Sequence, residues 1–207
     1  SWYVKSAYKK WSKVPARSRI SGHEAAQRLI TRAGLYGVQI EAVRGKMTDH
    51  YDPRSKTLRL SQGVAQGASV ASLAIAAHEL GHAMQDSEDY LPLKMRAAMV
   101  PMVNIGSYLG WILIMAGLFF NFINIAWLGV AFFAGGALFA LMTLPVEFDA
   151  SARAKKLLAE TGIIQTEEEQ RGVNKVLNAA ALTYVAALVT AVLQLLYYAS
   201  LLSGRRR

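Results

Sequence analysis

The sequence contains no cysteine among its 207 residues. Thiolate metal sites, thiol nucleophiles and a disulfide framework are therefore excluded, and any metal site has to use histidine, aspartate or glutamate. Charged residues are also scarce, at 18% of the chain, whereas hydrophobic residues reach 53%. Because soluble domains average about 25% charged residues, this composition indicates a membrane protein rather than a disordered or soluble chain.

Charge is missing altogether from two long segments. No charged residue occurs from Ala97 to Val146 or from Val176 to Gly204. A helix needs about 20 apolar residues to cross the roughly 30 Å hydrocarbon core of a bilayer. The first segment therefore predicts two membrane spans, Pro101–Phe120 and Ile125–Leu144, joined by a tight turn, and the second segment predicts one span.

The start of the chain allows two interpretations. Ser1 stands where a complete chain would have methionine, and Trp2 and Tyr3 are followed by four lysines. This pattern is typical of the polar flank that follows a membrane span. It is equally typical of a basic arm that lies on the membrane surface.

The charged parts of the chain show helix and strand patterns. Ser21 and Glu24 form the two halves of a capping box, which predicts a helix through Arg32 that Gly34 ends. Alternating residues predict strands, and an alanine-rich run predicts a buried helix. The further predicted elements are strands at Val38–Val43 and Thr57–Ser61, a turn at Asp52–Ser55, and helices at Ser69–Gln85, at Pro145–Leu158 and from Thr166 onward.

The alanine-rich helix carries the residues with distinctive chemistry, in Ala77-His78-Glu79-Leu80-Gly81-His82. Residues four apart share a helix face, so His78 and His82 can direct two imidazoles to one metal ion. Glu79 lies one step round the helix and can reach a water molecule at that ion, as in the HExxH pattern of zinc peptidases. The alternative is a pair of structural histidines. Because half of the chain's four histidines surround one glutamate, the metal site is favoured.

A catalytic zinc ion needs a third protein ligand and an open position for water. Glu147 is the best candidate because it follows a membrane span directly, in apolar surroundings where an unpaired carboxylate is costly. Two crossings after Met95 also return the chain to the side where His78 and His82 lie. The other candidates are His23, His50, Asp86, Glu88, Asp89, Asp149 and Glu160.

Several segments, in this order, resemble the YugP-type neutral zinc metallopeptidases of bacterial membranes, and the resemblance covers essentially the whole chain. The segments are Thr48–Pro53, Leu60-Ser61, Ala76–Gln85 and Leu144–Ser151. The resemblance implies a zinc ion (Zn²⁺) bound by His78, His82 and Glu147, with Glu79 as the catalytic base. It also implies a mainly α fold: a membrane helix bundle of three spans, with a fourth preceding Ser1, and a small α+β gluzincin-like zinc-peptidase domain.

On this interpretation the chain has four segments. Residues 1–96 form a membrane-adjacent peptidase domain that contains the HExxH helix, and residues 97–146 form a transmembrane helical hairpin. Residues 147–175 form an exposed helical segment that supplies the third zinc ligand, and residues 176–204 form a transmembrane helix.

A more distant similarity is to the HtpX and CAAX-prenyl membrane proteases, which have a later Glu-x-x-Ala-Asp pattern. Here Ser151 stands at the position of that aspartate. Either Ser151 or Asp149 is then expected to orient a zinc-bound imidazole.

The predicted reaction is hydrolysis of a peptide bond, in which water activated at zinc attacks the carbonyl and Glu79 passes a proton to the leaving amine. His50, Tyr51 and Arg153 are candidate hydrogen-bond donors to the oxyanion. The alternatives are a structural turn for His50 and Tyr51 and a surface ion pair for Arg153. The strand Thr57–Ser61 is expected to pair an extended substrate along its edge.

The predicted function is that of an integral-membrane zinc endopeptidase whose partners are the lipid bilayer and membrane or membrane-proximal polypeptides. The alternative is a non-catalytic membrane scaffold with a structural zinc site, against which an intact Glu79 argues. A site-2-type intramembrane protease is disfavoured because serines and glutamines surround the helix at Ser69–Gln85. The net charge of +9 lies near membrane flanks without a recognition motif, which argues against nucleic acid. A large apolar surface suggests a membrane-protein complex or a homo-oligomer.

The distribution of basic residues predicts the orientation. More of them flank the spans on the side of the HExxH helix than follow the last span, where Arg205–Arg207 stand. The positive-inside rule therefore favours a multi-pass protein of the bacterial cell membrane with a cytoplasmic active site. The basic residues on the side of the HExxH helix are Lys94, Arg96, Arg153, Lys155, Lys156, Arg171 and Lys175.

Overall fold

The computed structural model describes residues 2–204, which form seven helices and three short strands. Ser1 and Arg205–Arg207, which entered the predictions on the chain start and on orientation, lie outside the described residues. The contacts divide the chain into two units. The site unit comprises the residues up to Tyr90 together with Val146–Thr183, and the span unit comprises Leu91–Pro145 together with the residues from Tyr184 onward.

The site unit contains four helices, a three-stranded sheet and parts of two longer helices. The prediction for α2 is confirmed in detail: the Ser21 hydroxyl accepts the Glu24 N–H, the Glu24 carboxylate accepts the Ser21 N–H, and Gly34 ends the helix at a φ of 70°. The elements are α1 (Trp2–Trp11), α2 (Gly22–Ala33), β1 (Gln39–Val43), β2 (His50–Asp52), β3 (Thr57–Ser61), α3 (Gln62–Ala65) and α4 (Val70–Ser87).

The sheet has the strand order β1-β3-β2. The central strand β3 pairs in parallel with β1, where Gln39 faces Thr57, and antiparallel with β2, where Tyr51 faces Leu58. The two predicted strands are confirmed. The sequence did not predict β2, because three residues are too few to show alternation and Asp52 precedes a proline, which indicated a turn.

The alanine-rich helix α4 lies in the hydrophobic core of the site unit. Ser69 caps it by accepting the Ser72 N–H at 3.2 Å, and the helix extends to Ser87, two residues beyond its predicted end. Most of its apolar side chains, Leu73 and Leu80 among them, are fully buried together with residues from the sheet, from α2 and from the later helices. Small alanine side chains allow these neighbours to pack closely around α4.

Three long helices lie where the three spans are predicted, and each is long and apolar enough to cross a membrane: α5 (Leu91–Phe119), α6 (Ile123–Glu160) and α7 (Glu167–Gly204). Helix α5 begins before the predicted start at Pro101, which lies inside it. The predicted span and the predicted helix that follows it are one continuous helix, α6, which contains Pro145. Glu147 therefore lies on the same helix as the second predicted span.

The helices of the span unit pack against each other at small residues and at a small apolar cluster. Gly110 and Gly129 lie at a close approach of α5 and α6, where a Cβ atom on Gly129 would lie 2.6 Å from the Gly110 carbonyl oxygen. A small apolar cluster includes Ile114 from α5, Val130 from α6 and Leu202 from α7. Close packing at small residues is typical of helices that associate within lipid.

Candidate metal centre

His78 and His82 on α4 and Glu147 on α6 converge on one point. The Glu147 Oε2 atom lies 3.3 Å from His78 Nε2 and 3.7 Å from His82 Nε2. The three potential ligand atoms all lie within 4.8 Å of one another. His78 and Glu147 are buried, and Glu147 is only 3% exposed. Two imidazole nitrogens and one buried carboxylate oxygen this close together could hold a metal ion.

Helix α6 can approach α4 closely because of Gly81, which lies between the two histidines of the motif. A Cβ atom at this position would lie 2.4 Å from the backbone oxygen of Ala150. No side chain fits in that space without a shift of one helix. Gly81 thus allows the carboxylate of Glu147 to reach the imidazoles of His78 and His82.

Gln85 fixes the orientation of the His82 ring. The Gln85 side-chain amide donates to the Val146 carbonyl oxygen and to Asp149 Oδ2, both at 2.8 Å. Its Oε1 atom therefore faces His82 Nδ1, at 3.0 Å, and accepts the proton of that nitrogen. The His82 Nε2 lone pair is left to face Glu147.

Ser151 contacts His78 in the way that Gln85 contacts His82, at the Nδ1 atom of the ring. The Ser151 hydroxyl lies 3.2 Å from His78 Nδ1, so His78 also presents Nε2 to Glu147. The sequence left open whether Ser151 or Asp149 contacts a ligand imidazole. Ser151 contacts His78 directly, whereas Asp149 contacts Gln85, which in turn contacts His82. Both imidazoles therefore have a hydrogen-bonding partner behind them, as ligand histidines of metal sites do.

The donor set fits zinc. Two imidazole nitrogens and one carboxylate oxygen are a ligand set of catalytic zinc ions, which leaves a fourth position for water. Calcium and magnesium would require mainly oxygen ligands. The fold brings together the predicted ligands His78, His82 and Glu147.

Glu79 lies beside this group but outside it. Its Oε2 atom accepts the backbone N–H of Tyr51 at 3.2 Å, so β2 holds the carboxylate in place. Burial raises the pKa of Glu79, and the neighbouring imidazoles of His78 and His82 oppose that rise. A raised pKa makes a carboxylate better suited to accept and return a proton.

The other candidate ligands have different partners. Asp86 accepts the Tyr51 hydroxyl at 2.8 Å, and Glu88 pairs with Arg153 at 2.7 Å. Asp149 accepts from both Gln85 and Arg153. Such hydrogen bonds and ion pairs tie the end of α4 to β2 and to α6, so these carboxylates support the site without joining the ligand group.

Two of the three candidate oxyanion donors are already engaged. The Arg153 guanidinium binds Asp149 and Glu88, which is the ion-pair alternative of the sequence analysis. Burial and the hydrogen bond to Asp86 raise the pKa of Tyr51, whose hydroxyl therefore stays protonated and donates to that carboxylate. His50 is exposed, and its Nδ1 lies 2.8 Å from the Thr48 carbonyl oxygen.

The sheet edge beside the site is β2, not β3. The prediction that Thr57–Ser61 offers an edge to a substrate is wrong, because β3 has a paired strand on each side. The Tyr51 N–H, which donates to Glu79, points away from β3. The unpaired edge of β2 therefore faces the carboxylate of Glu79.

Sequence reasoning missed two residues of the site. Gln85 lies three positions after His82 on the same face of α4, and this spacing was the available signal that it could contact the ring. Gly81 lies within the HExxH motif, and its role in helix packing was not predicted. A glycine inside a buried, otherwise alanine-rich helix is a signal of a close approach by a neighbouring backbone.

The fold and the site define a membrane-associated zinc metallopeptidase class, and the comparisons identify the family. The chain matches the family described as "Putative neutral zinc metallopeptidase" over residues 1–203 and belongs to it. It is 45% identical to the "Putative membrane protease YugP" of Bacillus subtilis (strain 168) over 203 residues, which cover 98% of this chain and 90% of that protein. No solved structure matches the chain significantly. The family implies zinc as the metal and polypeptides as substrates.

Proposed function

We propose that this protein is an integral-membrane zinc endopeptidase that hydrolyses peptide bonds of membrane or membrane-proximal proteins. His78, His82 and Glu147 would hold the zinc ion in a gluzincin-like arrangement, with the HExxH pair on one helix and the glutamate ligand on another. The observation that carries the proposal is the position of Glu79: it is adjacent to the ligand group but donates no ligand atom to it. A purely structural zinc site has no use for a fixed carboxylate there.

The chain's own residues account for the proton transfers of such a reaction. When bound, zinc supplies a Lewis acid that polarises the scissile carbonyl and makes water a better nucleophile. Glu79 accepts a proton from the attacking water as the new C–O bond forms. Glu79 then returns this proton to the amine nitrogen as the C–N bond breaks. The hydrogen bond from the Tyr51 N–H fixes the orientation of the Glu79 carboxylate during both proton transfers.

The unpaired edge of β2 is the proposed binding surface for an extended substrate. An extended peptide beside His50–Asp52 would donate a backbone N–H to the Tyr51 carbonyl oxygen and lie next to Glu79, because the Tyr51 N–H already donates to Glu79. Backbone pairing selects an extended conformation rather than a particular sequence. An unfolded or loop segment of a target protein is therefore the expected substrate.

Metal content and proteolysis, measured together, test the proposal. The detergent-purified protein is expected to contain about one zinc ion per chain and to cleave an unfolded casein-like substrate. Glu79→Gln should keep the zinc ion and lose cleavage, because an amide cannot accept the proton. Glu167→Gln, at an exposed position of α7, is the matched control and should retain both.

Three other results of this experiment would contradict parts of the proposal. Zinc in both proteins with no cleavage by either favours the scaffold alternative, in which the site is structural. Cleavage by Glu79→Gln at the wild-type rate removes Glu79 from its role as the base. Absence of zinc from the wild-type protein would overturn the assignment of His78, His82 and Glu147.

The orientation of the site can be tested separately. We propose a multi-pass protein of the cell membrane with a cytoplasmic site, because more basic residues flank the spans on that side. The chain has no cysteine, so a single introduced cysteine can be labelled selectively. Arg54→Cys, beside β2, should react with a membrane-impermeant maleimide only after permeabilisation, whereas Phe122→Cys, between α5 and α6, should react in intact cells. The reverse pattern would place the site outside.

A further inference from the structure

A cleft in the site unit has no part in the proposed peptidase reaction. It lies between α1 and the first half of α7, and its volume is about 710 Å³. Each helix contributes residues spaced three or four apart, which form one face of that helix. The two helices meet closely at one end, where a Cβ atom on Gly172 would lie 2.5 Å from the Trp11 ring. Beyond that contact they leave an open space between them.

The charge in this cleft is predominantly positive. Lys10, Arg171 and Lys175 line it, against the single acid Glu168. The Lys10 ammonium lies 5.3 Å from the centre of the Trp11 ring, and Arg171 Nε lies 3.4 Å from a backbone oxygen. Among residues 2–204, none of the three cations forms an ion pair. The cleft is therefore lined by three positive charges against one negative charge.

Neutral donors accompany these cations. Asn174 and Asn178 lie on the same face of α7. The Asn178 Oδ1 atom accepts from Lys155 Nζ at 3.1 Å, so the amide NH₂ of Asn178 is available to donate. Ammonium, guanidinium and amide donors that face one space are suited to the oxygens of a phosphate group.

The cleft also lies where a bilayer surface is expected. Lys175 is the last charged residue on α7 before a segment that stays uncharged to Gly204. Leu182, two turns beyond Lys175, is 50% exposed and lines the apolar end of the cleft. Exposed Trp2 and Tyr3 begin α1, and such aromatic residues are typical of membrane interfaces.

We infer that the cleft between α1 and α7 binds an anionic phospholipid, with its phosphate beside Lys10, Arg171 and Lys175 and its apolar part toward Leu182. A free phosphate ion would satisfy the cations but would make no use of the apolar end. A lipid can contact the cations through its phosphate and Leu182 through its acyl chains. Bound in this way, it would tie α1 and α7 together at the membrane surface.

Native mass spectrometry of the full chain in mild detergent tests the inference. The probes are phosphatidylglycerol, phosphatidylcholine with the same acyl chains, and inorganic phosphate. The test variant is Arg171→Gln with Lys175→Gln, and the control is Arg28→Gln with Lys56→Gln, which removes two exposed cations elsewhere in the site unit. All four positions are exposed, so circular dichroism should show an unchanged fold.

The wild type and the control should bind phosphatidylglycerol more tightly than phosphatidylcholine. The test variant should lose this affinity by about 30-fold, since two cations near an anionic lipid are removed. Equal binding of the two lipids by the wild type, or unchanged binding by the test variant, would overturn the inference. Displacement of phosphatidylglycerol by millimolar inorganic phosphate would overturn the lipid as the ligand and identify a site for a soluble anion.

Discussion

Gln85 Oε1 lies 3.0 Å from Nδ1 of His82 and links this proposed ligand to the helix that carries Glu147. The same side chain is fully buried and donates to the carbonyl of Val146, the residue before Glu147. One amide therefore orients an imidazole on α4 and fixes the position of a carboxylate on α6. Neither link involves a ligand atom of the proposed zinc site.

Replacement of Gln85 by leucine should weaken zinc binding without removing a ligand. Leucine has a similar volume but cannot bond to His82, Val146 or Asp149. We expect zinc affinity to fall by about 10–100-fold, as it does when such partners are lost from other metal sites. The free energy of unfolding should also fall by roughly 1–3 kcal/mol, because buried polar groups lose their partners.

Competition with a chelator of known affinity measures the effect on zinc, and chemical denaturation of the metal-free protein measures the effect on stability. Gln27→Leu, at an exposed position on α2, is the control and should change neither quantity. Unchanged zinc affinity in Gln85→Leu would show that Gln85 does not position His82.

Ser151→Ala should weaken zinc binding less than Gln85→Leu. The substitution removes only the hydroxyl beside His78 Nδ1, which lies 3.2 Å away and is buried. We expect a decrease in zinc affinity of up to about tenfold. The exposed Ser87 provides the matched control, since its hydroxyl contacts only the Met84 carbonyl. An equal decrease in Ser87→Ala would mean that the assay reports stability instead of the contact with His78.

The sequence predicted the group of His78, His82 and Glu147 that the structure brings together, because spacing, topology and the family resemblance all favoured it. His78 and His82 are four residues apart on one helix, and the number of membrane crossings restricted the side on which Glu147 lies. The capping residue Ser21 likewise predicted the start of α2, and the predicted start of α4 at Ser69 lies one residue before the observed start. The spacing of the two histidines and the helix caps are local signals, which lie within one or two helical turns of sequence.

The remaining features depend on contacts between distant parts of the chain. Gln85 and Val146 are 61 residues apart in sequence. Ser151 and His78 are 73 residues apart, and the sequence did not decide whether Ser151 or Asp149 contacts an imidazole. A hydrogen bond over that separation leaves no periodic pattern. Strand β2 was missed for a related reason, because its three residues are ordered by pairing with β3 and by the contact of Tyr51 with Glu79.

Gly81→Ala should disrupt the metal centre through the backbone. The added methyl group would lie 2.4 Å from the Ala150 oxygen and would force α4 and α6 apart. We expect a loss of roughly 1–3 kcal/mol in the free energy of unfolding, which is typical of overpacked cores, together with weaker zinc binding. Gly37→Ala is the control, because a Cβ atom there meets no atom within 4 Å. If Gly81→Ala binds zinc like the wild type, Gly81 is not required for the approach of Glu147.

Tyr51→Phe distinguishes the two roles considered for this tyrosine. The substitution removes the hydrogen bond to Asp86 but keeps the backbone N–H that holds Glu79. We therefore expect the free energy of unfolding to fall by about 1 kcal/mol, while kcat per zinc-loaded molecule stays within twofold of the wild-type value. Tyr36→Phe, at a position that is 79% exposed, controls for the loss of a hydroxyl. If kcat instead falls 100-fold with zinc content unchanged, the Tyr51 hydroxyl leaves Asp86 during the reaction and donates to the oxyanion.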